Sequence, residues 1–214
     1  MAIRAIVFDI GGVLEITPRT GWVEKWEAQL GLASGDLQRQ LHGAWEGGDI
    51  GAISEVEVHQ RTGEVLGVDE AQVQALLEDM WAEYLGTLNV ELVEYCRGLR
   101  RRYRTAIVSN SFVGARAREQ ERYRLEELVD LIVYSHEVGM SKPDPRIYAL
   151  TCERLGVRPE EMIFVDDVEP CVTGARDFGI HAVLFQDNTQ AIADIEALLR
   201  MPADAQTPRQ SNGQ

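Results

Sequence analysis

Short apolar runs alternate with amphipathic stretches of helical length over the second half of the chain. The runs are Thr105 to Val108, Leu131 to Tyr134, Met162 to Val165 and His181 to Phe185. A further run, Ile3 to Phe8, lies close to the first residue. Short strands that alternate with helices are typical of βα units on a parallel sheet. The pattern therefore predicts an α/β fold, with a three-layer, Rossmann-like parallel sheet as its core.

Residues 15–88 follow a different pattern, in which apolar side chains recur at helical spacing. Two stripes show it: Trp22, Trp26 and Leu30, and then Leu76, Leu77, Met80, Trp81 and Tyr84. The segment Ser54 to Glu57 has the form of a capping box, which marks the start of a helix. We therefore predict that an all-helical insertion follows the first strand.

These two patterns divide the chain. We predict that residues 1–14 and 89–200 form the core and that residues 15–88 form the helical insertion. Residues 202–214 contain no large apolar side chain, so we expect a disordered tail over residues 201–214.

Composition places the chain among ordinary globular proteins. It has 214 residues and 45% hydrophobic content, enough for one sizeable core. Its three cysteines, Cys96, Cys152 and Cys171, are an odd number without a CxxC pair, which argues against a disulfide framework or a zinc ribbon. No export signal and no run of about 20 apolar residues is present, so we expect a cytoplasmic protein.

The formal net charge is −14, which is unfavourable for nucleic acid and for anionic membrane surfaces. We therefore predict neither as a partner. An anionic substrate could approach only where a local cation and positioned hydrogen-bond donors reverse the field.

Polar residues follow the predicted strands at positions that can meet this demand. They are Asp9, then Ser109-Asn110-Ser111, then Lys142-Pro143 in the loop that leaves the third strand, and Asp166-Asp167. Because ligands of doubly wound sheets bind beyond the carboxyl ends of the strands, we expect these residues to converge at one edge.

The residue types at this edge fit phosphoryl transfer. Asp9 with Asp166 or Asp167 supplies the oxygen ligands that Mg²⁺ prefers, and the backbone carbonyl of Gly11 could be another. Ser109 and the backbone beyond it can donate to phosphate near a helix N-terminus, and Lys142 adds a positive charge. We predict that Asp9 attacks phosphorus and that the resulting phosphoaspartate is hydrolysed.

The sequence resembles the haloacid dehalogenase superfamily over nearly its whole length. Its four motifs are matched in order by Asp9-Ile10-Gly11-Gly12-Val13, Ser109-Asn110, Lys142-Pro143-Asp144-Pro145 and Phe164-Val165-Asp166-Asp167. The resemblance implies that the insertion is a helical cap of the first type. It also implies that Asp9 is the nucleophile, that Ser109, Asn110 and Lys142 bind the substrate phosphate, and that Asp167 is a Mg²⁺ ligand, with Asp166 bound directly or through one water.

Two positions depart from the superfamily pattern. Gly11 stands where its phosphatases usually have a second Asp, which acts as general acid and then as base. Such assistance is typically worth ~10²- to 10⁴-fold in rate. A Gly at this place is similar to bacterial α-D-glucose-1-phosphate phosphatases and to the phosphatase-like domain of soluble epoxide hydrolases. Cys171 stands where Asn is expected, and we interpret it as a buried packing residue.

We therefore predict a Mg²⁺-dependent phosphatase of a small phosphorylated metabolite, with a sugar phosphate favoured; the sequence does not predict the oligomeric state. A metal-independent 2-haloacid dehalogenase would use the same Asp9, but the paired Asp166 and Asp167 argue against it. Gly11 disfavours a phosphoglucomutase and supports a catalytically weak binding or regulatory protein. His136 could substitute as a proton donor, although a partly exposed loop histidine is the preferred interpretation.

Overall fold

The computed structural model describes residues 2–201, so the predicted tail, apart from Met201, lies outside the described residues. Its elements in chain order are β1 (Ala5–Phe8), β2 (Glu15–Ile16), α1 (Trp22–Leu30), α2 (Asp36–Asp49), α3 (Glu55–Leu66), α4 (Glu70–Leu85), β3 (Thr87–Leu88), α5 (Val90–Leu99), β4 (Arg104–Ser109), α6 (Ala115–Tyr123), α7 (Leu125–Leu128), β5 (Leu131–Tyr134), α8 (Ser135–Val138), α9 (Pro145–Leu155), β6 (Met162–Asp166), α10 (Glu169–Asp177), β7 (His181–Leu184) and α11 (Asn188–Arg200). One 3-10 turn, Pro159–Glu161, precedes β6.

Five parallel strands form the central sheet, in the order β5-β4-β1-β6-β7. Alternate residues of β1 face opposite sides. Ile6 and Phe8 belong to a core cluster that includes residues of α5 and α11, whereas Ala5 and Val7 belong to one that includes residues of α9 and α10. Helices therefore cover both faces of the sheet, which confirms the predicted three-layer α/β fold.

The two ends of α9 carry residues that are typical of helix caps. Asp144 caps the start of α9 by accepting a hydrogen bond from the Arg146 N–H, and Pro145 is the first helical residue. Gly156 ends α9 with a φ of 65°, the left-handed conformation that glycine adopts without strain. The local sequence therefore sets both ends of α9.

Residues 15–88, called the cap segment below, contain the helices α1 to α4 and their own apolar cluster. Ser54 and Glu57 form the predicted capping box, and Asp69 with Gln72 forms a second one that the sequence analysis did not identify. The division of the chain into a core and a cap remains a prediction.

A two-stranded antiparallel pair, β2 with β3, was not predicted. It lies where the chain enters and leaves the cap segment. Asn89 strengthens this junction because its N–H donates to the Leu14 carbonyl and its side-chain amide to the Val13 carbonyl, both at 2.9 Å. Strands of two residues are too short to produce a periodic pattern, so no sequence signal indicated them.

The C-terminal end of α2 makes one of the contacts between the cap segment and the core. The Val113 N–H donates to the Gly48 carbonyl at 3.2 Å, and the Ser135 hydroxyl donates to the Asp49 carbonyl at 2.6 Å. Gly51 then packs so closely that a Cβ atom there would lie 1.8 Å from the His136 carbonyl oxygen.

A second contact between the two parts is made by Arg118 of α6. Its guanidinium lies 2.6 Å from the carboxylate of Glu55 on α3 and 4.2 Å from the ring centre of Trp81 on α4. Both partners belong to the cap segment, so one core side chain contacts two of its helices. Within residues 2–201, no helix is both long and apolar enough to cross a membrane.

We predict that Gly51→Ala destabilises the protein more than Gly67→Ala. Both glycines have nearly the same φ, 66° and 65°, so each alanine carries a similar backbone strain of about 1–2 kcal/mol. Only Gly51 would also clash with backbone, since nothing lies within 4 Å of a Cβ at Gly67. Urea unfolding of both variants measures the difference, and equal losses of stability would show that α2 does not approach the core this closely.

Candidate functional site

Three neighbouring strands carry candidate residues at their carboxyl ends. Asp9 directly follows β1, Ser109 ends β4 and Asp166 ends β6. Because β1 lies between β4 and β6, these residues meet at the centre of the sheet edge. Carboxylate oxygens of Asp9, Asp166 and Asp167 lie within 4.8 Å of one another. The structure thus brings together the residues that the sequence analysis placed at a metal site.

Lys142 lies between two of these carboxylates. Its ammonium nitrogen Nζ is 2.8 Å from Asp9 Oδ1 and 2.6 Å from Asp166 Oδ2. The lysine is 3% exposed, so this interaction is shielded from solvent. A buried ammonium with two carboxylate partners is fixed in position.

Asn110 holds the loop that carries Lys142. Its side-chain amide donates to the Lys142 carbonyl at 2.8 Å, and its side-chain oxygen accepts from the Lys142 N–H at 2.7 Å. The side chain of Asn110 therefore positions Lys142, and a contact from Asn110 to phosphate is expected of its backbone N–H. Ser109 is buried beside it at the end of β4.

Burial has the largest effect on the pKa of Asp9 and raises it. The positive charge of Lys142 lowers this pKa, and the negative charge of Asp166 raises it further. The net effect raises the pKa of Asp9 to about 7. Burial lowers the pKa of Lys142, but the charges of Asp9 and Asp166 outweigh it and raise that pKa overall.

When all groups are ionised, three carboxylates face one ammonium, a surplus of two negative charges. A divalent cation with oxygen ligands would compensate this surplus, so the donor set fits Mg²⁺.

The turn after β1 depends on a glycine. Gly12 has a φ of 74°, and a Cβ atom there would lie 2.1 Å from Asp167 Oδ2. Only glycine allows the turn to pass so close to this carboxylate. Gly11 differs, since a Cβ atom there would meet only Thr17 Oγ1, at 4.0 Å. Space for a side chain is therefore open at the position where the superfamily usually has its second Asp.

Backbone hydrogen bonds fix the two buried aspartates. The Asp9 N–H donates to the Val165 carbonyl at 2.9 Å, which joins the turn to β6. Asp9 Oδ1 accepts from the Ile10 N–H at 2.7 Å, and Asp166 Oδ1 accepts from the Val168 N–H at 2.8 Å. One oxygen of each carboxylate is thus oriented by the chain itself, which preorganises the site.

Glu15 and Glu119 are buried acidic residues that the sequence analysis missed. Both are fully buried, and neither oxygen of Glu15 has a hydrogen-bond partner among the described residues. Burial and then the charge of Glu119 raise the pKa of Glu15 to about 9. Its place in the otherwise apolar run Val13 to Ile16 is the signal that could have identified it.

His136 takes part in a hydrogen bond, and Cys171 is packed in the core. The ring nitrogen Nδ1 of His136 is 2.7 Å from the Ser111 hydroxyl oxygen, and burial lowers the pKa of His136. The histidine belongs to the short helix α8. Cys171 is 4% exposed and packs in the core cluster between the sheet and α9 and α10.

Comparison with known proteins places this geometry in a family. A family model for haloacid dehalogenase-like hydrolases matches residues 3–179. The chain therefore belongs to the haloacid dehalogenase-like hydrolases.

Relatives of two kinds are found within this family. The chain is 27% identical to bifunctional epoxide hydrolase 2 of Sus scrofa over 95% of its own length and 41% of the relative's. It is 26% identical to a D-ribitol-5-phosphate phosphatase of Bacteroides thetaiotaomicron over 77% of its length and 83% of the relative's. The chain thus spans less than half of the longer relative.

A solved structure has the same fold. It is that of a HAD-like family hydrolase from Porphyromonas gingivalis, 27% identical, with a TM-score of 0.78 over 94% of this chain and 100% of the other. Similarity to an (S)-2-haloacid dehalogenase of Pseudomonas, 36% identical, is confined to 38% of this chain and 36% of that protein.

We predict that Glu15→Gln stabilises the protein progressively as the pH rises. The wild-type carboxyl has a raised pKa, so its contribution to stability is complete below the unfolded value near 4.5 and is lost as the pH rises towards 9. Glutamine does not ionise, and we expect a gain on the order of 1–3 kcal/mol at pH 8 and almost none at pH 4.

Denaturant unfolding at pH 4, 6 and 8 measures this effect. Glu64→Gln, at an exposed position of α3, is the control and should show no comparable trend. A pH-independent difference between Glu15→Gln and wild type would contradict the burial of an ionisable carboxyl at this position.

Proposed function

We propose that this enzyme is a Mg²⁺-dependent phosphatase that hydrolyses a small phosphorylated metabolite, with a sugar phosphate favoured, through an aspartyl-phosphate intermediate. The observation that carries the proposal is the cluster of Asp9, Asp166 and Asp167 around the buried ammonium of Lys142. The similarity to a phosphatase of a phosphorylated sugar alcohol supports the preferred substrate.

The metal would be held by carboxylates of Asp9, Asp166 and Asp167 together with the Gly11 carbonyl. When bound, Mg²⁺ supplies positive charge that offsets the charge of the ester and of the carboxylates. Ser109 and Lys142 bind the phosphate oxygens, with Asn110 holding Lys142 and donating its backbone N–H. These groups stabilise the charge that spreads over the oxygens during transfer.

In the first step, a carboxylate oxygen of Asp9 attacks phosphorus and the bond from phosphorus to the alcohol oxygen breaks. The leaving oxygen takes a proton from water, because Gly11 offers no acidic side chain. In the second step, water attacks phosphorus, inorganic phosphate leaves and the Asp9 carboxylate is restored. A good leaving group needs little protonation, so the missing acid matters most for ordinary alkyl esters.

We further propose that residues 15–88 act as a cap over this site and that the protein works in the cytoplasm on substrates small enough to fit beneath the cap. The three cysteines are all free and buried, which suits a reducing compartment.

Two alternatives remain testable. A 2-haloacid dehalogenase would use Asp9 to displace halide from carbon without metal. Three clustered carboxylates would then repel an anionic haloacid, so the geometry favours the phosphatase. A catalytically weak binding protein is favoured only by Gly11.

The decisive measurement is hydrolysis of 4-nitrophenyl phosphate with Mg²⁺, with chelator, and by Asp9→Asn. We expect phosphate release only with Mg²⁺, and a loss of at least about 10³-fold in Asp9→Asn because the nucleophile is removed. Asp167→Asn should weaken the stabilisation by Mg²⁺ in a thermal melt, whereas Glu169→Gln, exposed at the start of α10, should not.

The same preparation is given a 2-haloacid and a panel of sugar phosphates. Halide release without metal would support the dehalogenase function instead of the phosphatase function. Absence of both activities in a folded wild-type protein would support the binding protein.

We predict that Gly11→Asp accelerates the hydrolysis of alkyl phosphates by about 10- to 100-fold by supplying the missing acid. The new side chain has space, and Gly11 is outside the left-handed backbone region. Gly11→Asn is the matched control, since it fills the same space but cannot donate a proton as an acid. Neither variant should accelerate an aryl phosphate, and equal effects of Asp and Asn on alkyl esters would contradict the assignment of the vacant acid.

A further inference from the structure

A chamber of about 220 Å³ lies where the cap segment meets the core. Aromatic residues dominate its walls, and two carboxylates accompany them. The aromatic residues are Trp22, Trp45, Tyr84 and Phe112, and the carboxylates are those of Asp49 and Glu83.

The chamber is connected to the candidate active site through Phe112. This residue follows Ser109 by three positions in the loop after β4, so the two are at most about 10 Å apart along the chain. A substrate with its phosphate at Asp9 can therefore extend its alcohol portion towards this chamber.

The position of Asp49 in the chamber is set by the core. Its carbonyl accepts from Ser135, the preceding Gly48 carbonyl accepts from Val113, and Gly51 packs against His136. The end of α2 therefore cannot shift freely, and the Asp49 carboxylate is presented at the junction.

The aromatic side chains form one contiguous group. The ring centres of Trp22 and Trp45 are 5.6 Å apart. Those of Trp45 and Phe112 are 6.2 Å apart, with the ring planes at 69°. Aromatic rings carry π-electron density on their faces, and this density attracts cations.

The chamber also carries negative charge that the protein does not neutralise. Burial by itself would raise the pKa of Glu83. The Thr20 N–H and hydroxyl donate hydrogen bonds to its carboxylate, and the net effect lowers the pKa. Loss of surrounding water and the charge of Glu46 raise the pKa of Asp49 to about 6, so this carboxylate is still ionised at pH 7. Within residues 2–201, no lysine or arginine forms an ion pair with either carboxylate.

We propose that this chamber binds a positively charged amine, so that the substrate is a phosphate monoester of an alcohol that carries an ammonium group. Amino sugars and amino alcohols share this chemistry. The inference rests on the proposed phosphatase function, because it assigns the phosphate of the same molecule to Asp9 and Lys142. Two carboxylates and surrounding rings provide both the charge and the surface that an ammonium group prefers.

The test compares pairs of esters that differ in charge but little in shape. Choline phosphate is compared with 3,3-dimethylbutyl phosphate, and glucosamine 6-phosphate with glucose 6-phosphate. We expect kcat/KM to favour the cationic member of at least one pair by about tenfold or more. Equal values within both pairs would overturn the inference, and they would leave the phosphatase proposal intact if an aryl phosphate is hydrolysed with Mg²⁺.

Variants locate the preference in the chamber. Asp49→Asn keeps the shape and removes the charge, and it should reduce the ratio of kcat/KM between the cationic and the neutral ester by about tenfold. Glu46→Gln is the matched control, since Glu46 is an exposed carboxylate on the same helix that does not line the chamber. A preference that survives Asp49→Asn would overturn the assignment to this chamber.

A binding measurement separates the two proposals if no ester is hydrolysed. Trp22 and Trp45 line the chamber, so choline should change tryptophan fluorescence at concentrations where the neutral 3,3-dimethylbutanol does not. Trp45→Leu should abolish the change, whereas Trp26→Phe, outside the chamber, should preserve it. An equal response to both compounds would overturn the chamber as an ammonium site independently of catalysis.

Discussion

The buried ammonium of Lys142, shared between Asp9 and Asp166, is the interaction on which the site depends. Two carboxylates at the ends of adjacent strands would repel each other in a nearly solvent-free environment. The ammonium nitrogen, within 2.8 Å of both, holds them together. Because breaking a buried charge pair leaves an uncompensated charge, each member constrains the other two. The loop that carries Lys142 is in turn held by Asn110, which directly follows β4.

Charge balance links this interaction to metal and substrate. The cluster retains a surplus of negative charge when Asp167 is included, in a protein whose net charge is already −14. A divalent cation is the simplest compensation, and it would make an anionic ester tolerable beside Asp9. The same protein-wide field favours cationic groups at the cap junction, where the carboxylates of Asp49 and Glu83 have no cationic partner among the described residues. Opposite charges within one substrate would satisfy both environments.

The contact between the cap segment and the core depends on backbone as much as on side chains. Gly51 packs directly against a core carbonyl, and carbonyls at the end of α2 accept hydrogen bonds from core residues. Backbone contacts of this kind are specific in distance but carry no hydrophobic pattern. They bring Asp49 and Phe112 together in the lining of one chamber, although the two residues belong to different segments.

The sequence by itself determined the sheet, its helices and the residues at its edge. Buried parallel strands appear as short apolar runs and helices as a period near four, and the parallel arrangement brings Asp9, Ser109 and Asp166 to one end. The two-residue strands of the cap junction produced no such pattern and were missed.

Only the tertiary structure decided what lies between the elements. Sequence spacing does not record that Glu15 and Glu119 share a buried region, that Asn110 bonds to the backbone of Lys142, or that aromatic rings of α2 and α4 meet Phe112. Such contacts join residues far apart in the chain, and they follow from how whole surfaces pack. Periodicity identifies which face of an element is buried, but the partner of each side chain depends on the packing of all the elements together.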